Sequence, residues 1–330
     1  MTTGLALLPW HDAYWQSLQQ YLLHNRVPQA LLLSGNSGLG KHQLALQFAD
    51  ALLCEARLPN GFACGHCHGC LLQKAGTHPD FIAVQPEEPG KGLGIDVIRR
   101  LLPVLTLKPQ FEGFRVVMIN SAELLNMNAA NAFLKCLEEP NERTVIILVS
   151  ANAGRLPATI RSRCQQLKIA SPSRAVATEW LMQQNVLTDH AILLNLAQGA
   201  PFLALQLARE NSIALRNSCF DEWLGIARQQ HNPVAIAERW QKLPSVPLLS
   251  WISSWVVDLI KRQHNVQGSH FYNPDLQTVL QDAQKPLNLK ALFALYDVVL
   301  TTQKQMHTQL NKQLLLEVIL IQWFNLNCRD

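Results

Sequence analysis

The chain has 330 residues, of which 48% are hydrophobic and 16% are charged, and its formal net charge is +4. This length predicts two or three domains with sizeable cores, and the mild charge argues against a dedicated nucleic-acid-binding face. No segment has the roughly 20 consecutive apolar residues of a membrane helix, and no signal peptide is recognisable at the N-terminus. We therefore expect a cytoplasmic protein with no membrane contact.

The first predicted elements are a short strand, Ala30–Ser34, a glycine-rich loop and a helix. From Gly35 through Gly40 to Lys41 the loop reads G-x-x-x-x-G-K, the spacing of a P-loop, whose backbone N–H groups and lysine hold phosphates. A plain turn between strand and helix is the alternative, which this context disfavours. A working P-loop continues with Ser or Thr to bind Mg²⁺, but His42 stands there, and imidazole is a poor ligand for Mg²⁺. ATP binding by this chain is therefore doubtful.

Four cysteines follow the predicted helix at a spacing typical of metal ligands: Cys54, Cys64, Cys67 and Cys70. Four thiolates suit tetrahedral Zn²⁺ and leave no position open for water, which predicts a structural zinc module at about residues 54–70. His66 and His68 lie inside the cluster and are interpreted as polar loop residues, with substitution for one ligand as the alternative. Disulfides are a further alternative, disfavoured by the absence of a secretory signal. The remaining cysteines predict small buried side chains: Cys136, Cys164, Cys219 and Cys328.

Further strands are predicted at Phe81–Val84, 116–119, 144–149 and 166–169. Strands that alternate with helices imply an α/β fold with a parallel, doubly wound sheet. The run 116–119 ends at Asn120 and Ser121, where a nucleotide hydrolase carries an Asp for the Mg²⁺ shell and a Glu for the attacking water. Glu123 lies further along and is interpreted as a helix-start or surface carboxylate. Two independent defects in one site predict that this chain does not hydrolyse ATP.

Helical patterns occupy the rest of the chain. Residues 170–173 predict a domain boundary, with Ser171 or Ser173 capping the next helix. The boundaries predicted are a P-loop domain at 1–169, a helical lid at 170–210 and an all-helical domain at 211–330, in which the apolar run 314–324 predicts a mostly buried helix. Five tryptophans predict a helix-packing core, with a subunit interface as the alternative: Trp223, Trp240, Trp251, Trp255 and Trp323.

A P-loop followed by an inserted four-cysteine module resembles the clamp-loader subunits of the bacterial replicative DNA polymerase III, which are AAA+ proteins. Further matches are A-G-T-H-P-D at 75–80, G-I-D-V-I-R at 94–99, N-A-A-N-A-F-L-K-C-L-E-E-P at 128–140 and S-R-C at 162–164. The resemblance is dense from about residue 28 to 170. It implies an AAA+ P-loop domain with a parallel sheet and an inserted zinc module, then a helical lid and an all-α C-terminal collar that joins subunits into a ring.

Within this family, loss of the loop hydroxyl and of the Asp-Glu pair is similar to the delta-prime type of subunit, whereas the gamma/tau motor subunits keep them. Phe202 also stands where the lid of a motor subunit has an Arg that contacts nucleotide. The resemblance implies that Arg163 of S-R-C is an arginine finger acting in trans on a neighbouring ATPase subunit. An ordinary surface Arg is the alternative, and Arg161 lies outside the motif.

The implied partners are the gamma/tau and delta subunits and, through the complex, the sliding clamp and primed DNA. The predicted function is a non-hydrolysing subunit of a DNA-directed DNA polymerase holoenzyme, a nucleotidyltransferase assembly. It would scaffold the ring and support ATP-dependent clamp loading. An atypical ATP-hydrolysing motor subunit is the first alternative, which His42, Asn120, Ser121 and Phe202 disfavour. A zinc-dependent nucleic-acid-binding module is the second, which the low charge and the stretch 128–140 disfavour.

Overall fold

A computed structural model describes residues 7–86, 92–139, 141–264, 271–282, 287–306 and 310–328. The chain divides into two compact units, Met1–Val176 and Ala177–Asp330. The three predicted domain ranges are finer than this division and stay a prediction.

The first unit is built on a five-stranded parallel sheet, which confirms the predicted fold class. Its strands are β1 Ala30–Ser34, β2 Phe81–Val84, β3 Arg115–Ile119, β4 Thr144–Ser150 and β5 Gln165–Lys168. They lie in the order β2-β3-β4-β1-β5, so β1 is central and pairs with both β4 and β5. The apolar runs of β1, β3 and β4 are buried throughout, because helices cover both faces of a doubly wound sheet. Each predicted strand is present within one residue at either end.

Helices connect these strands: α1 Asp12–Leu23, α2 Lys41–Leu53, α3 His68–Ala75, α4 Ile95–Leu105, α5 Met127–Glu138 and α6 Ala158–Arg161. The predicted apolar face of α2 is buried at Ala45, Phe48, Ala49 and Leu52. On the other side of the sheet, α4 and α5 pack around Phe133, Ile98 and Leu101.

The second unit is helical in its described part: α7 Arg174–Gln183, which begins in the first unit, α8 His190–Leu196, α9 Pro201–Arg209, α10 Ser212–Ala227, α11 Pro233–Trp240, α12 Ser245–Gln263, α13 Gln277–Asp282, α14 Leu289–Gln305 and α15 Lys312–Asn327. Ser173 caps α7, since its Oγ accepts from Val176 N at 3.4 Å. Among the described residues, no single helix has the length and apolar character to cross a membrane, although the bent pair α8 and α9 meets both criteria when taken together.

The five tryptophans predicted to form a helix-packing core are buried within the second unit. Trp223 and Trp323 stack with ring centroids 3.7 Å apart, and Trp323 Nε1 donates to Trp223 O at 2.9 Å. This stack joins α10 to α15 across 100 residues of sequence. It places the C-terminal helix at the centre of the core.

Two burial predictions were wrong in part. The helix α15 is buried on one face only, because Leu314, Val318 and Ile321 are 58%, 53% and 38% exposed on the other. An apolar run has no polar face to reveal which side meets solvent. Cys164 and Cys219 are buried as predicted, but Cys136 and Cys328 are only partly buried.

Candidate functional site

The glycine-rich loop connects β1 to α2 at the carboxyl end of the sheet. Gly35 has φ of +148°, and a Cβ placed there would lie 2.3 Å from Ile169 O, so only glycine fits between β1 and the end of β5. Gly40 directly precedes α2 as its N-cap residue. The loop backbone therefore has the strand-loop-helix form in which an anion meets a helix N-terminus.

Two residues that the sequence interpretation missed anchor the glycine-rich loop by hydrogen bonds. Trp10 Nε1 donates to Leu39 O at 2.9 Å, and His11 Nε2 donates to the same oxygen at 2.8 Å. Burial lowers the pKa of His11 to about 4, against a smaller opposing effect of its bond to Leu39. The imidazole is therefore neutral at pH 7 and carries its proton on Nε2. These two contacts anchor the loop at Leu39 to the segment that precedes α1.

Lys41 lies at the first position of α2 and is only 6% exposed. Its ammonium donates to Asn36 O within the loop, at 2.6 Å from Nζ. Burial lowers the pKa of Lys41 from 10.5 to about 8, while the Glu123 carboxylate acts in the opposite direction. The lysine is thus engaged by the loop's own backbone, where a functional P-loop directs it to phosphate.

The two residues that replace the usual metal ligands contact each other. His42 Nδ1 lies 2.8 Å from Asn120 Oδ1, across 78 residues of sequence. Asn120 follows β3 and His42 lies in the first turn of α2, so both flank the point where an Mg²⁺ ion would be held in a hydrolase. Because an amide oxygen accepts, the ring N–H points at Asn120, and this side of the site contains an imidazole–amide hydrogen bond in place of a hydroxyl and a carboxylate.

Glu123 is more deeply placed than the sequence predicted. It lies in the short 3-10 turn Ala122–Leu124, in keeping with the helix-start interpretation, and its side chain is half-buried. One carboxylate oxygen accepts from Ala151 N at 3.1 Å, and the other oxygen is buried without a hydrogen-bond partner. Since Ala151 follows β4 and Lys41 follows β1, Glu123 brings negative charge to the carboxyl ends of neighbouring strands. No sequence spacing revealed this.

The four cysteines converge beyond the far end of α2, about 20 Å along that helix from the loop. All their Sγ atoms lie within 4.8 Å of one another, with Cys54–Cys67 and Cys64–Cys70 each at 3.9 Å. Sulfurs bound at 2.3 Å around a tetrahedral centre would lie about 3.8 Å apart. The cluster therefore fits a tetrahedral thiolate-bound metal. His66 and His68 are exposed and are not members of the cluster.

Backbone N–H groups are directed at these sulfurs. Cys64 N donates to Cys54 Sγ at 3.2 Å, and Cys67 N donates to Cys64 Sγ at 3.3 Å. The backbone N–H of His66 is the main cause that lowers the pKa of Cys64 to about 6. Such donors stabilise thiolate over thiol. Gly69 is required by close approach, because a Cβ there would lie 2.6 Å from Leu53 O.

A buried ion pair that the sequence interpretation missed lies beside this module. Asp80 and Arg115 are almost fully buried and are 2.9 Å apart. The carboxylate also accepts from the backbone N–H groups of Gln110 and Phe111. The guanidinium donates to three carbonyls at the end of α4 and just beyond, those of Val104, Leu107 and Lys108. The pair therefore fixes the segment between α4 and β3, a structural role for the motif at 75–80.

Arg163 lies after α6 and is partly exposed. Its Nη1 donates to Thr159 O at 3.0 Å, and its Nη2 lies 2.6 Å from Glu138 Oε1 at the end of α5. Arg161, the adjacent candidate, is partly buried, and its Nε has no hydrogen-bond partner. Of the two, Arg163 is the more accessible guanidinium.

Arg163 and the glycine loop lie at opposite ends of the parallel strands. The loop leaves the carboxyl end of β1, whereas Arg163 comes just before the amino end of β5, where Gln165 pairs with Leu31. Five residues of strand separate these ends by roughly 16 Å. The structure thus brings Lys41, His42 and Asn120 into one site and leaves Arg163 outside it. In the second unit, Phe202 packs on Trp180, with ring centroids 4.9 Å apart.

Comparison with known proteins gives consistent matches over both units. The family model described as "DNA polymerase III, delta subunit" matches residues 10–173, and that described as "DNA polymerase III, delta subunit, C terminal" matches residues 210–325. A DNA polymerase III subunit tau/gamma from Haemophilus influenzae is 31% identical, over 56% of this chain and 27% of that protein. A solved Thermotoga maritima protein related to the gamma subunit is 16% identical, covers 95% of this chain and 99% of its own, and has a TM-score of 0.43.

Several relatives match over almost the entire length, as two examples illustrate. "DNA polymerase III subunit delta'" of Pseudomonas aeruginosa is 34% identical, over 97% of this chain and 98% of that protein. The protein of the same name from Escherichia coli is 32% identical, over 95% of this chain and 94% of its own. The chain therefore belongs to the DNA polymerase III subunit delta' family.

Proposed function

We propose that this chain is a non-hydrolysing subunit of the DNA polymerase III clamp-loader complex, which braces the ring and supplies Arg163 to the ATP site of a neighbouring subunit. The observation that carries the proposal is the position of Arg163. It lies partly exposed at the opposite end of the sheet from the loop of its own chain. A guanidinium in that position is available to a second molecule but not to its own P-loop.

The loop itself supports the absence of hydrolysis. Hydrolysis of ATP needs a metal ion and an oriented water, and the ligand positions here hold the hydrogen-bonded pair of His42 and Asn120. A guanidinium keeps its charge and binds phosphate oxygens bidentately, so it remains useful to a neighbour. The alternative of an atypical motor subunit rests on Lys41, which is retained but bonded to Asn36 O.

The exposed face of α15 supports assembly. Leu314, Val318 and Ile321 form an apolar strip on the last described helix, and a contiguous exposed apolar patch on a folded chain marks a contact surface. We propose that this face contributes to the collar that joins the chain to gamma/tau and delta subunits. Contact with the sliding clamp and with primed DNA then follows through the complex, and a cytoplasmic location stays a prediction from the sequence.

We also propose that Cys54, Cys64, Cys67 and Cys70 hold a structural Zn²⁺ ion. The near-tetrahedral spacing of the sulfurs and the N–H donors directed at them support this assignment. Four protein ligands leave no position for water or substrate, so the ion would stabilise the inserted module and take no part in ATP chemistry.

The test is the ATPase activity of a reconstituted complex with gamma/tau and delta subunits, clamp and primed DNA. Arg163→Ala is expected to abolish turnover at the adjoining site, since an arginine finger contributes roughly 10³–10⁵ in rate. Arg161→Ala is the matched control and should leave turnover within about twofold. Unchanged turnover for Arg163→Ala, with assembly verified by gel filtration, would refute the proposed role of Arg163 as an arginine finger. The isolated chain is expected to show no Mg²⁺-dependent turnover of ATP.

A further inference from the structure

The guanidinium of Arg163 already has an anionic partner on its own chain. Its Nη2 lies 2.6 Å from Glu138 Oε1, and its Nη1 donates to Thr159 O. The side chains of Arg163 and Glu138 are 36% and 47% exposed, so solvent reaches the pair. Any phosphate that approaches Arg163 from another molecule therefore meets a guanidinium whose charge is partly neutralised.

We infer that Glu138 is a positioning residue that holds Arg163 against this chain until a phosphate of a neighbouring nucleotide displaces its carboxylate. This inference rests on the proposed role of Arg163 in trans. The bond to Thr159 O uses a different nitrogen and does not need to break during the exchange. The guanidinium thus remains anchored at one nitrogen while its charged partner changes.

The exposure of the pair makes the exchange feasible. Exposed ion pairs contribute little free energy, because water and salt screen the charges and the paired side chains lose conformational freedom. A terminal phosphate carries more charge than a carboxylate and accepts two parallel hydrogen bonds from a guanidinium. The phosphate therefore displaces the Glu138 carboxylate once a neighbouring subunit is in place. Without that neighbour, Glu138 keeps the long arginine side chain in one orientation. The cost is a lower apparent affinity for ATP in the complex.

The experiment compares Glu138→Gln with Glu139→Gln in the reconstituted complex. Gln keeps the size of the side chain and an acceptor oxygen but removes the charge, and the adjacent Glu139 is exposed and outside this ion pair. Glu138→Gln is expected to lower the ATP concentration for half-maximal turnover by about two- to fivefold, the scale of an exposed ion pair. Maximal turnover should not change. The difference in half-saturating ATP concentration between Glu138→Gln and wild type should become smaller at high salt.

A second measurement follows Arg163 directly in the isolated chain. In side-chain ¹⁵N NMR, Glu138→Gln is expected to increase the mobility of the Arg163 guanidinium, whereas Glu139→Gln should not. An unchanged or raised half-saturating ATP concentration for Glu138→Gln, while Arg163→Ala still lowers turnover, would overturn this inference alone. If Arg163→Ala leaves turnover unchanged, the proposed role of Arg163 in trans and this inference are both refuted.

Discussion

Replacing Lys41 by methionine is expected to stabilise the first unit. Lys41 is 6% exposed and its pKa falls from 10.5 to about 8 because of burial. Since one pKa unit corresponds to about 1.4 kcal/mol, the charged form costs the folded state about 3 kcal/mol at pH 7. The variant loses the hydrogen bond to Asn36 O, which contributes about 1 kcal/mol. A net gain of about 2 kcal/mol remains, and Met fills a similar volume.

The stability advantage of Lys41→Met is expected to depend on pH. Between about pH 8 and 10.5, the unfolded lysine still binds a proton that the folded one has released, so the wild-type free energy of unfolding rises with pH in this window. The methionine variant lacks this term. Its advantage is therefore expected to be full below pH 8 and to disappear towards pH 10.5.

Native-state hydrogen exchange of the amides in β1 and α2 is the appropriate measurement, because it reports the first unit separately from the second. It would be made at pH 7, with urea unfolding at pH 7 and 9.5 as the comparison. Lys168→Met is the matched control: Lys168 is exposed on β5, and its replacement should change stability by no more than about 0.5 kcal/mol. A loss of stability for Lys41→Met at pH 7, or a gain at pH 9.5 as large as the gain at pH 7, would refute the reasoning.

Three further substitutions, one of them with a matched control, test the rest of the first unit. Cys67→Ala is expected to abolish stoichiometric zinc in elemental analysis and to increase proteolysis of the module; full zinc content would contradict the assigned ligand set. Gly35→Ala should destabilise the fold by about 2–4 kcal/mol in urea unfolding, because the added Cβ would clash with Ile169 O. The control Gly65→Ala should cost only about 1 kcal/mol, because no atom lies within 4 Å of a Cβ added there. Arg115→Met leaves Asp80 buried without its partner and should cost about 3–5 kcal/mol; a neutral effect would show that the backbone donors alone satisfy the carboxylate.

Much of the fold could be predicted from local patterns. The strands of the sheet are short apolar runs bounded by loops, so β-propensity and burial agree on them, and all were found within one residue. The clustering of the four cysteines was predictable because two-residue arms between them constrain the chain by themselves. The defects of the P-loop were visible as well, since a missing hydroxyl and a missing carboxylate are properties of single positions.

The sequence by itself thus determined the class of fold, the cysteine cluster and the loss of the metal ligands. Only the tertiary structure decided how the replaced positions are used, because these contacts join residues far apart in the chain. His42 meets Asn120 across 78 residues, and Arg163 meets Glu138 across 25 residues. Spacing along a chain carries no signal for such pairs, and an apolar helix such as α15 shows which face is covered only once its neighbours are in place.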